Sequence, residues 1–201
     1  MDFRPTIELL REAQNDAFHL EVRDEYGVPG EDEPFQRFLN GEPFDYREWF
    51  QDWSQFVHDL TARQVSVSRL RVLSVPHSDY QRWSLTIAPM NVEAGEDVRY
   101  LPRHQAGIVP PDDFWVIDNE VVVFSLADKD GRSPGGAAVS TDPELVLQRH
   151  SCSGEWVAAA SVMGESGLVL SASSESGPGP DMVGPVVTGE DEGDEQAADL
   201  G

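Results

Sequence analysis

The sequence predicts an α/β (or α+β) domain, a small mixed sheet flanked by helices. Two observations carry this. From Val65 the apolar pattern runs as a β-branched strand, VSVSRLRVLSV, and then changes to a helical repeat that Gly95 ends. Further on, two short apolar runs at Phe114–Asp118 and Val121–Leu126 flank Asn119-Glu120, as in a β-hairpin. The order of elements is helices, strand, helix, strand, hairpin, helix, which needs helices packed on a sheet.

Taken in order, Ile7, Leu10 and Ala13 place a short amphipathic helix at Thr6–Asp16. Phe18–Arg23 alternates and reads as a strand. Glu33–Leu39 is a helical turn that Asn40-Gly41 stops. The strongest helix is Asp45–Ala62. Trp49, Phe50, Trp53, Phe56, Val57 and Leu60 fall at steps of three and four, and Asp45 with Glu48 can cap the first turn. That spacing assigns the aromatic stripe to the core rather than to a ligand groove.

Val65–Val75 is an interior strand on which Arg69 and Arg71 share one face, since successive side chains alternate. Pro76-His77 breaks it. Ser78 and Gln81 form a capping box for the next helix, with Tyr80, Trp83 and Ile87 on its apolar face and Pro89 near its end. Glu96–Leu101 is a further strand, which makes Val65–Gly95 a strand–helix crossover. Pro102–Pro111 and Asp128–Gly136 read as loops. Thr141 or Asp142 caps a last helix, with Pro143 in its first turn, running past Trp156.

The 201 residues and 22.2 kDa suit one domain plus a tail. Residues 164–201 contain no Lys, Arg or aromatic residue and nine acids. They are expected to form a disordered, solubilising acidic tail, leaving a globular domain at residues 1–163. Even without the tail, 28 acids stand against 14 bases, a net charge of −14. That excess disfavours direct nucleic-acid binding, which needs cations on phosphates, and anionic membrane surfaces. No apolar run is long enough to span a bilayer, and the N-terminal MDFRPTIELLREAQ lacks the apolar segment of a secretory signal, so a cytoplasmic protein is expected.

Motifs for chemistry are sparse. The five histidines lack metal-ligand spacing, and the single cysteine, Cys152, cannot build a disulfide framework or a thiolate zinc site. No cofactor or metal is expected. No phosphate loop or G-x-S-x-G is present. Asp128-Lys-Asp130-Gly131 opens like a calcium loop, but the glycine falls at the fourth position and no Glu closes the loop. One constellation stands out: Arg69, Arg71, His77, Ser78, Tyr80 and Arg82 gather on the strand and the helix after it. The C-terminal end of a parallel strand, beside free helix amides, suits a small anionic ligand or an acidic partner. The competing reading is that Arg69 and Arg71 neutralise carboxylates in an acid-rich body.

The series RLRVLSVPHSDYQRWSL, AGEDVRYL and DDFWVIDNEVVVFSL resembles an actinobacterial family of unknown function commonly encoded beside helix-turn-helix regulators, over roughly Phe18–Gln148. A more distant resemblance is to one half of the phospholipase D-like fold, whose active members carry H-x-K-x-x-x-x-D. Asp118 matches the final Asp, whereas Pro111 and Asp113 stand where His and Lys would be, so the resemblance implies a non-catalytic relative. Together these imply a non-enzymatic regulatory or interaction protein, acting with a helix-turn-helix transcriptional regulator and not on DNA itself. The alternative is a small anionic-ligand sensor or phosphoesterase-like enzyme using Arg69, Arg71, His77 and Tyr80. A homodimer is the third expectation, because half of a two-lobed fold often pairs with a second copy.

Overall fold

The computed structural model describes residues 6–28, 30–126, 137–164 and 167–168. It is a mixed α/β structure. The chain runs α1 (Thr6–Glu12), β1 (Asp16–Glu21), α2 (Asp32–Asn40), α3 (Tyr46–Ala62), β2 (Ser66–Leu73), α4 (Asp79–Glu93) and β3 (Asp97–Pro102). It continues with β4 (Asp113–Ile117), β5 (Val121–Ser125), β6 (Ala137–Ser140), α5 (Pro143–Ala159), β7 (Ser161–Gly164) and β8 (Gly167–Leu168).

The strands hydrogen-bond in the order β6-β5-β4-β1-β2-β3-β7-β8. β1, β2 and β3 are parallel, and β4 returns antiparallel on the other side of β1. The chain therefore reverses its direction of growth at β1, and the carboxyl ends of β1 and β2 meet the start of β4.

Alternation sorts each strand between two layers. Leu20, Leu70, Val72, Phe114, Val116 and Val122 face α5, where Val146, Trp156 and Val157 cover them. On the opposite face, Ala17, Val67, Ile117 and Val123 pack under Leu9 and Leu10 of α1 and Val57 and Leu60 of α3. Each fully buried Val, Leu, Ile or Phe among them contributes roughly 1.5–3 kcal/mol. Toward the carboxyl ends of β1 and β2 the same face turns polar: His19, Glu21, Arg69 and Arg71 replace the aliphatic residues.

Most local expectations hold for clear reasons. Ser78 Oγ accepts from Gln81 N, and the Gln81 side chain accepts from Ser78 N, closing the capping box of α4. Asp45 caps α3 through Glu48 N, and Asp142 caps α5. Gly41 ends α2 at φ 66°. Gly95 adopts φ 105°, and a Cβ there would lie 3.1 Å from Thr61 Cγ2, so both backbone and space call for glycine.

α4 passes through Pro89 and runs to Glu93, ending just before Gly95 as expected, because packing of Trp83, Ile87, Ala88 and Met90 offsets the one missing N–H. The hairpin turns on Asp118 and Asn119, at φ 53° and 55°, one residue earlier than the apolar pattern placed it. β6 was hidden in AAVS, a sequence with little strand preference that becomes a strand by pairing with β5. β7 and β8 carry the chain past residue 163, the expected domain boundary. The rest of the acidic tail, and the Asp128–Gly136 loop with its calcium-like stretch, lie outside the described residues.

Candidate functional site: a polar-floored aromatic cavity

A cavity of about 570 Å³ opens over the carboxyl ends of β1 and β2. This is where open α/β sheets place ligands, at the point where strand order reverses. Its floor is the polar patch of the sheet, and its walls come from α3, α4 and the segment after β1.

The floor is a cross-strand charge network. Glu21 and Arg71 are partners in the β1–β2 ladder, and the Glu21 carboxylate pairs with both Arg71 Nε and Arg69 Nη1. Arg69 Nε also donates to Glu96 Oε1 at 2.7 Å, from the residue just before β3. All four side chains are buried. Burial alone would raise the Glu21 carboxyl, but the two arginines hold it down at about 2. Burial works against both guanidinium charges, and the facing carboxylates overcome it, raising both arginines above their ordinary value.

His19 sits beside this network. Its ring stacks on its cross-strand partner Trp115 at 4.1 Å and 8°. Its Nδ1 lies 3.4 Å from Glu21 Oε1. Burial, reinforced by the neighbouring arginines, pushes His19 down to about 3 against the opposing pull of Glu21, so it is neutral.

The walls are aromatic. Trp49 and Trp53 of α3, both half-buried, line the cavity, while Val57 and Leu60 of the same helix are core. The aromatic stripe therefore divides between core and cavity wall. Trp49 Nε1 donates to Gly30 O at 3.2 Å, and Trp53 Nε1 to Asn91 Oδ1 at 3.1 Å. Tyr80 of α4 donates to Glu31 Oε2 at 2.6 Å, which ties the segment after β1 to the far wall. Burial raises the Tyr80 hydroxyl, and the adjoining Glu31 raises it further. Burial also raises Glu31 itself, and lifts Asp113, at the start of β4, to about 6.

Of the residues singled out in the sequence, Arg69, Arg71 and Tyr80 are brought together here. The others are elsewhere. His77 bonds Ser74 O through Nδ1 at 3.0 Å, Ser78 caps α4, and exposed Arg82 pairs with Asp79. Asp118 caps the opposite end of the sheet, where its carboxylate accepts from Gln14, Asn15 and Asp16 N. Arg69 and Arg71 are neutralised by Glu21 and Glu96, as the competing reading had it. His19, Glu21, Asp113 and Trp115 were missed as site residues. The signal was present in the i, i+2 spacing of His19 and Glu21, which mirrors Arg69 and Arg71. That β1 lies between β2 and β4 was not readable.

Among the described residues no group of three His, Cys, Asp or Glu is placed to hold a metal, and no helix is long and apolar enough to cross a membrane. No curated protein matches the chain. A family model described as a domain of unknown function does match, over residues 6–165, which spans the described fold from α1 to β7. The chain belongs to this family, DUF6879.

Proposed function

We propose that the protein is a non-catalytic binding module that holds a small molecule in the cavity over β1 and β2. One observation carries this reading: a cavity of about 570 Å³ with aromatic walls and a buried polar floor, at the reversal point of the sheet. Its volume falls within the range of small-molecule sites. The charged groups of the floor are engaged with one another and His19 is neutral, an arrangement suited to fixing a ligand rather than attacking it. In the resemblance to the phospholipase D-like fold Asp113 stands at the position of the motif's Lys and contributes a carboxylate to the cavity, whereas Asp118, at the position of its final Asp, lies at the opposite end of the sheet. A phosphoesterase or phosphate sensor is less well supported, because Glu21 and Glu96 already neutralise Arg69 and Arg71.

The test is to purify the full chain natively, denature it and identify released small molecules by mass spectrometry, then add each back in a thermal melt. A ligand of the native state raises Tm in proportion to ln(1 + [L]/Kd). Absence of any released molecule, and of any Tm rise across a metabolite library, sinks the reading.

The binding module is further proposed to be regulatory and cytoplasmic, acting with a helix-turn-helix regulator. Its support is the acidic charge of the body and the resemblance to a family encoded beside such regulators. An acidic face can compete with DNA for a basic surface. Capture from native lysate should recover a regulator at near-equal stoichiometry, in a salt-sensitive complex. Recovery of the 22.2 kDa chain as a homodimer by light scattering would favour self-association instead.

A further inference from the structure

Negative charge is left over around the cavity. Its lining cations are already matched: Arg69 pairs with Glu21 and Glu96, Arg71 with Glu21, and Arg23 with Asp112. His19 is neutral. The other lining acids, Glu31, Asp52 and Asp113, form no ion pair among the described residues. Glu31 is half-buried and accepts from the Tyr80 hydroxyl, Asp113 accepts from Val22 N, and Asp52 is exposed. Burial raises the Glu31 and Asp113 carboxyls, and no neighbouring cation cancels that rise.

The walls add a surface that attracts organic cations. Trp49, Asp52 and Trp53 lie at i, i+3 and i+4 on α3, so two indoles and a carboxylate share one helix face. Both indoles are half-buried and line the cavity. The face of an indole ring attracts a positive charge, most strongly where water is displaced. The protein already uses one such face internally, with Arg69 Cζ 5.9 Å from the Trp53 ring centroid. An added carboxylate or phosphate would meet matched arginines and unmatched acids. A bare metal ion suits the site poorly. Among the described residues no group of three His, Cys, Asp or Glu is placed to hold one, and about 570 Å³ is far larger than an ion. A neutral molecule would leave the excess negative charge in place.

We propose that the cavity binds an organic cation, an ammonium carried on an aromatic or hydrocarbon body, with its charge facing Asp52 and Glu31 and its carbon surface against Trp49 and Trp53. This rests on the reading of the cavity as a ligand site, and names the chemistry that the site selects. Asp113 is 2% exposed and acts on the ligand through its charge, without contact.

The experiment uses four probes sharing one phenol ring: 3-hydroxyphenyltrimethylammonium, 3-(aminomethyl)phenol, 3-tert-butylphenol and 3-hydroxybenzoate. The first and third have the same shape and differ in charge. Each is titrated into the full-length protein at pH 7 and low salt, followed by calorimetry. At least one of the two cations is expected to bind about tenfold tighter, or more, than 3-tert-butylphenol and 3-hydroxybenzoate. Asp52→Asn changes an exposed position, and Glu31→Gln keeps an acceptor for the Tyr80 hydroxyl. The double variant should lose the preference with the circular dichroism spectrum unchanged. If it does not fold, Asp52→Asn alone should reduce the preference about threefold, the effect of one exposed charge. A preference that survives these substitutions overturns the assignment to this cavity. Equal or tighter binding of 3-tert-butylphenol or 3-hydroxybenzoate overturns the cationic class but keeps the cavity as a ligand site. Binding of none of the four overturns this proposal, whereas the binding-module reading falls only if native extraction and the library melt are also blank.

Discussion

Glu21 and Arg71 stand opposite one another in the parallel β1–β2 ladder and form an ion pair on the floor of the cavity. Glu21 also holds Arg69, whereas Arg69 has a second carboxylate in Glu96. The network is therefore asymmetric, and the asymmetry predicts unequal mutational effects. Glu21→Ala strands Arg71 as a buried, unmatched charge and should destabilise by about 3–5 kcal/mol. Arg71→Ala leaves Glu21 paired with Arg69 and should cost roughly half as much. Urea unfolding of both variants checks this. Equal losses would mean that the two arginines do not share Glu21.

Asp118 does a different job from the one its motif position implied. Its carboxylate accepts backbone N–H groups of Gln14, Asn15 and Asp16, closing the α1–β1 connection against the β4–β5 turn. Those bonds hold its pKa below the usual carboxylate value, outweighing partial burial. The stability they supply is present above pH 3.8 and is lost as pH falls below it. Asp118→Ala should cost about 1–2 kcal/mol, the group being partly solvated. Ligand binding should be unchanged, since Asp118 is not part of the cavity. A binding defect in a variant of normal Tm would contradict that separation.

The legible parts of this fold are those encoded locally. The capping box at Ser78 and Gln81, the Asn40-Gly41 stop and the stripe from Trp49 to Leu60 specify helices without reference to the rest of the chain. The β2–α4–β3 crossover was readable for the same reason. β6 was not, because AAVS has little intrinsic strand preference and is a strand only through its pairing with β5. The site divides the same way. Arg69, Arg71 and Tyr80 lie on consecutive elements, so sequence could group them. Glu21, His19 and Trp115 reach them only through the pairing of β1 with β2 and β4, a long-range fact. His77, Ser78 and Arg82 were grouped by proximity in sequence, but the helix turns them away to cap α4 and pair at its surface.

His19 predicts a pH dependence of stability. Its folded pKa is about 3 against 6.5 for the ordinary imidazole, so the unfolded chain binds the proton that the folded chain refuses. Stability contributed by neutral His19 is complete above pH 6.5 and drains away as pH falls toward 3. The slope reaches at most about 1.4 kcal/mol per pH unit. His19→Gln lowers stability at pH 7 by removing the stack on Trp115, yet should flatten the decline between pH 6 and 4. An undiminished slope in that variant would show that His19 is not the group being protonated.

Asp113 works in the opposite sense. Burial lifts its pKa from 3.8 to about 6, so the folded chain holds a proton more tightly than the unfolded chain across that interval. Its contribution is fully present below pH 3.8 and is lost as pH rises through 6. At neutral pH its charge is therefore a liability, only partly offset by the hydrogen bond it accepts from Val22 N at 2.7 Å. Asp113→Asn keeps a side-chain oxygen for Val22 and removes the charge. The variant should melt at a higher temperature than the parent at pH 7, by an amount that shrinks toward zero near pH 4. Thermal melts of parent and variant across pH 4–7 check this: a difference that stays constant over that range would show that Asp113 is not the group being protonated.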